Sequence, residues 1–121
     1  MRYESEVRIQ STSAPEVTYT IARISFGRRI ELMKKVRALW AKLEFLRAGT
    51  SPQDRLEAAL VTGEIDRMYL EWGLTSIEGL EIDGRNATPE LLMSGGPEEL
   101  CREAVVAIKR ECALDDEERK N

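Results

Sequence analysis

Residues 17–49 read VTYTIARISFGRRIELMKKVRALWAKLEFLRAG, and within them the hydrophobic period changes. Over 17–24 the apolar side chains fall at alternate places: Val17, Tyr19, Ile21 and, after Ala22, Ile24. Successive strand residues point to opposite faces, so this alternation predicts a half-buried β-strand. From Phe26 onward Leu32, Val36, Leu39, Leu43 and Leu46 recur at steps of three and four, the period of a helix with one apolar face. Ser25 offers an N-cap hydroxyl and Gly49 a stop. A strand that gives way directly to a long helix points to an α+β fold.

Upstream, EVRIQ at 6–10 alternates in the same way, with Val7 and Ile9 inward. STSAPE carries the turn formers between the two runs, so residues 6–24 are expected to form an antiparallel hairpin. A lone hairpin is marginal in water and needs a third strand or helices to cover its apolar face. Downstream, Ser51-Pro52 starts a second helix, with Asp54 near its positive end. Leu56, Leu60, Met68 and Trp72 are its expected inner face, and Gly73 its end. Gly63 lies inside that helix, where close packing or a kink would explain it.

LTSIEGLEIDG at 74–84 reads as one short extended segment, or two with a bend at Gly79, followed by a turn at Asp83-Gly84. Thr88-Pro89 starts a short helix that stops at Ser94-Gly95-Gly96. Pro97, Glu98 and Glu99 open a last helix, whose apolar stripe is Leu100, Ala104, Val105, Ile108 and Cys112. The expected architecture is a hairpin with a third short strand against three to four helices. It forms one domain over residues 1–113, with a charged tail at 114–121 that has nothing to bury.

Composition narrows the chemistry. The 121 residues contain no histidine, which removes the commonest general base, metal ligand and partner of a nucleophile. Cys101 and Cys112 on one helix would stand about 16 Å apart, too far to bridge. They read as small buried apolar residues. The net charge of −4 divides unevenly: 11 Lys/Arg against 7 Asp/Glu in residues 1–60, and 7 against 15 in residues 61–121. Solvated helix faces account for this, and so would head-to-tail association or docking on a charged partner. No run is long and apolar enough for a membrane span, and the first residues lack a signal-peptide core.

The stretch LEIDGRNATPELLMSGGPEEL at 80–100 holds five carboxylates. Asp83, Glu90, Glu98 and Glu99 match neither an EF-hand spacing nor a helical metal pair. SGGPEE lacks the lysine and the frame of a phosphate loop. The basic run RRIELMKKVR spreads its charges around a helix, and no nucleic-acid-binding pattern accompanies it. No cofactor is expected, and an enzyme would need a site built from carboxylates alone. The distinctive feature is a surplus: Ile30, Met33 and Trp40 widen the apolar stripe of the helix at 26–48 beyond one contact surface.

Taken in order, SFGRRIEL after a hairpin, EIDRMYLEWGL, GLEIDGRNATPELLMSGGPEEL, a final helix and the ending EERKN resemble the tail assembly chaperones of long-tailed bacteriophages and prophages. The element IDG-x-x-x-T-P-E-x-L at 82–92 is the most characteristic part. The resemblance implies a small non-enzymatic protein of the host cytoplasm that is absent from the mature virion. Its partners would be the tape measure protein and the tail tube protein. A second copy of itself is a further expected partner, with no role for nucleic acid or membrane. A frameshifted longer form is common in that family. The surface expected to meet the partner is the helix at 26–48, with Ile30, Met33, Trp40 and Phe45 as anchors and Arg28, Arg29, Lys34 and Lys35 as charged rim. The rival readings are a phage structural or connector protein retained in the particle, and a small DNA-binding regulator.

Overall fold

The structure, a computed structural model, describes residues 1–113. The expected charged tail at 114–121 lies outside the described residues. The elements run β1 (Glu6–Gln10), β2 (Thr18–Ala22), α1 (Phe26–Ala48), α2 (Pro52–Gly73), β3 (Leu74–Glu78), β4 (Glu81–Ile82), β5 (Arg85–Asn86), α3 (Pro89–Gly95) and α4 (Glu98–Cys112). This is an α+β arrangement, with one three-stranded antiparallel sheet and four helices among the described residues. Residues 1–113, read above as one domain, divide into two compact units. One comprises Met1–Ile24 with Tyr69–Ala113, and the other Ser25–Met68.

In the first unit the sheet has the order β1-β2-β3, both pairs antiparallel. Ile9 faces Tyr19 and Val7 faces Ile21, so the two alternations share one inner face, which α4 covers at β2. The third strand, β3, pairs Tyr19 with Ile77 and slips its register between Thr20 and Ile21. The outer face is polar, and there the Arg8 guanidinium donates to Glu78 at 2.7 Å. Gly79 follows β3 with φ +84°, and a Cβ there would run into the Glu16 carbonyl. The bend expected at Gly79 therefore admits no side chain without strain. Asp83 and Gly84 both take positive φ in the β4–β5 hairpin, as a two-residue primed turn requires.

The stripe on α4 matches the sequence reading: Leu100, Ala104, Val105, Ile108 and Cys112 are all buried. Thr88 caps α3 by accepting from Leu91 N–H at 3.1 Å. With Tyr19, Ile21, Leu74, Ile77, Leu92 and the last turn of α2 (Tyr69, Leu70, Trp72), these residues are the buried apolar core of this unit.

In the second unit Ser25 caps α1 through Arg28 N–H and Ser51 caps α2 through Asp54 N–H. Leu32, Val36 and Leu43 are buried on α1, and Leu39 and Leu46 are half-buried beside them. The inner face expected for α2 needs correction. Leu56 is 74% exposed and Leu60 is exposed too, while Val61, Ile65, Tyr69 and Trp72 are buried. The reason is geometric. Each four-residue step overshoots a full turn by about 40°, so the series 56, 60, 68, 72 winds about 160° around the helix. Its later members reach the inner face, and its two leucines do not. Gly63 marks no close packing either, since a Cβ there would meet nothing within 4 Å.

Candidate functional site

The structure spreads the eight anchor and rim residues of α1 around the helix instead of gathering them. At about 100° per residue, Trp40, Met33 and Ile30 fall within an arc of about 80° beside the buried stripe. Met33 and Trp40 are half-buried and Ile30 is exposed. Phe26, left out of the expected contact set, lies inside the same arc and is 86% exposed. Phe45, 79% exposed, sits about 60° beyond Ile30, with exposed Lys34 between them. Half-buried Arg29 borders the arc next to Trp40, whereas half-buried Arg28 and exposed Lys35 lie on the far side of the helix. The arc is therefore apolar along one edge of α1, with a charge at either border.

A second feature, in the first unit, was not visible in the sequence. Glu103 on α4 gathers the first three residues of the β1–β2 loop on one oxygen. Its Oε1 accepts from Ser11 Oγ at 2.9 Å, Ser13 Oγ at 2.8 Å, Ser13 N–H at 3.1 Å and Thr12 Oγ1 at 3.4 Å. Ser11, itself buried, also accepts from Ala14 N–H at 3.0 Å. Burial alone would push the Glu103 carboxyl up. The donors from Ser13, Ser11 and the Tyr19 hydroxyl outweigh it and hold the group at about 2. Tyr19 answers in the opposite sense: burial first, then its bond to Glu103, raises the phenol above its ordinary range. A carboxylate so well supplied with donors is a poor proton acceptor near neutral pH, so it does not activate the adjacent serines. The cluster is a structural tie.

Beside the tie runs a groove of about 440 Å³ between β1 and α4, lined by Ile9, Thr12, Tyr19, Arg102, Val106 and Arg110 among others. Val106 is 54% exposed there. Arg102 and Arg110 are exposed, and Arg102 contacts Glu98 at 3.3 Å.

The cysteines carry no evident reactivity. Cys112 is buried, and neither cysteine takes part in a disulfide among the described residues. Burial, then the nearby Glu98 charge, raises the Cys101 thiol. Among the described residues no group of three or more His, Cys, Asp or Glu side chains is placed to hold a metal ion, and no helix is long and apolar enough to cross a membrane. Asp83, Glu90, Glu98 and Glu99 are all exposed. Comparison with known proteins found no matching family model, no matching curated protein and no matching solved structure.

Proposed function

We infer that this chain acts by binding another protein, as a non-enzymatic tail assembly chaperone of a long-tailed phage. It would hold the tape measure protein in the host cytoplasm, help recruit the tail tube protein, and be left out of the finished virion. The supporting observation is the crowd of large apolar side chains exposed in the second unit: Phe26, Ile30, Phe45, Leu56 and Leu60. Scattered exposed apolar residues are ordinary, but five on two helices, flanked by lysines and arginines, suit an amphipathic partner helix. Tape measure proteins are long helical chains, and an unpacked apolar stripe on such a chain aggregates unless it is covered.

The test is co-expression with the tape measure protein encoded alongside. The wild-type chain keeps that protein in the soluble fraction. Ile30→Glu combined with Phe26→Glu lets it precipitate while the variant's own circular dichroism stays unchanged. Retained solubility with the double variant would sink the reading. Mass spectrometry of purified particles separates it from a retained structural or connector protein, which would be found in the virion.

A further inference from the structure

The strand β1 is an edge. Among the described residues, its one strand neighbour is β2. The pairing phase tells which backbone groups face out. Arg23 N–H donates to Ser5 C=O at 2.8 Å and Ser11 N–H donates to Val17 C=O at 2.9 Å, so residues 5 and 11 exchange bonds with β2. In an antiparallel ladder this role alternates, so Val7 and Ile9 bond inward. The N–H and C=O groups of Glu6, Arg8 and Gln10 therefore point away from the sheet. Natural edges are blunted by proline, bulges or charge; EVRIQ contains no proline, pairs with β2 without a bulge, and carries its two charges, Glu6 and Arg8, on the outer face, where Arg8 is held by Glu78.

Below that edge, α4 presents Arg102, Val106 and Arg110 along one side, bordering the groove. Each four-residue step on a helix advances about 6 Å, and each two-residue step on a strand about 6.6 Å. A strand added beside β1 would thus bring three of its inner side chains, at i, i+2 and i+4, near Arg102, Val106 and Arg110, which fan over about 80° of the helix surface. The groove's one lining carboxylate, Glu103, is already engaged by the Ser11–Ser13 loop; at the rim Arg110 is exposed, and Arg102 shares its charge with exposed Glu98 at 3.3 Å.

We propose that the β1 edge and the α4 groove form a strand-addition site for an extended segment of the pattern acidic-x-apolar-x-acidic. The segment's backbone pairs with Arg8 and Gln10. Its central apolar side chain covers Val106 and Ile9, and its two carboxylates meet Arg102 and Arg110. The site uses no residue of α1 and does not depend on the chaperone reading. The like charges of Arg102 and Arg110 weigh against a second copy of this chain as the occupant, since a two-fold would bring arginine rims together.

The probe is a terminally blocked peptide, TDTVTET, titrated into the full chain and followed by amide NMR shifts. The expected result is saturable shifts at Glu6, Arg8 and Gln10, with binding at least tenfold weaker for TKTVTKT. Arg110→Glu weakens TDTVTET at least tenfold. Arg8→Pro abolishes binding, because it removes an outward donor, while Arg8→Ala, which loses the same side chain but keeps that donor, still binds. Equal binding by Arg8→Pro and Arg8→Ala, or by the two peptides, would overturn the proposal. So would shifts confined to α1 and α2. Sedimentation without peptide decides the rival occupant: a dimer that Arg8→Pro dissociates would assign the edge to a second copy and overturn the proposal too.

Discussion

Ser11 and Glu103 lie 92 residues apart in the chain, and their side chains meet at 2.9 Å. The contact ties the tip of the first hairpin to the middle of the last helix. Glu103→Ala strands the donors of Ser11 and Ser13 and breaks the tie. Allowing for partial solvent exposure, the expected loss is about 1–2 kcal/mol. Urea unfolding measures it, and amide exchange in residues 11–14 should rise before that of α4. An unchanged urea midpoint would show that the tie is inconsequential.

The same carboxylate sets an acid limb. Its folded value of about 2 lies below the ordinary 4.5, so the unfolded chain takes up the proton first as pH falls. The stabilisation is complete above about pH 5 and is lost as pH drops from 4.5 through about 2. Urea midpoints of wild type and Glu103→Gln should therefore converge between pH 5 and pH 2. Tyr19 gives the mirror case. Its folded value is raised above the ordinary 10.0, so its contribution is intact below pH 10 and declines above it. Tyr19→Phe should flatten that alkaline decline.

Two glycines predict opposite signs. Nothing lies near a Cβ at Gly63 inside α2, so Gly63→Ala should raise stability by about 0.5–1 kcal/mol. Gly79 has φ +84° and the Glu16 carbonyl against it, so Gly79→Ala should cost about 2 kcal/mol or more. Thermal melts of the two variants check both, and equal shifts would contradict the structure.

On α2 the buried and exposed apolar residues separate cleanly. Leu60→Lys, on the exposed side, should move stability by no more than about 0.5 kcal/mol. Ile65→Ala, at a position with almost no exposure, should cost about 2–4 kcal/mol. A large loss for Leu60→Lys would mean that its side chain is covered in solution.

The elements with a strong local signal were legible. The alternation at 17–24, the Ser25 and Ser51 caps, the Asp83-Gly84 turn and the α4 stripe follow from forces acting within a few residues. The phase of α2 does not follow its leucines: Leu56 and Leu60 are exposed, while the buried series Val61, Ile65, Tyr69, Trp72 keeps nearer to the helical period. The Ser11–Glu103 tie left no local trace, since a serine-rich turn and a glutamate on a helix are each commonplace alone. The α1 arc was partly legible. Ile30, Met33 and Trp40 share it, but charge type alone could not say that Arg28 and Lys35 face elsewhere.

The first unit is built from both ends of the described chain, residues 1–24 and 69–113, with the second unit inserted between them. On a ribosome the order of events follows. The β1–β2 hairpin emerges early but must wait for β3 and α4 before its inner face is covered. At roughly 5–20 residues per second, the 44 residues of Ser25–Met68 alone impose a delay of about 2–9 s. Through that interval Val7, Ile9, Tyr19 and Ile21 stand on an open two-stranded ribbon. The nascent chain thus passes through a stage in which its most sheet-forming segment is its least protected one.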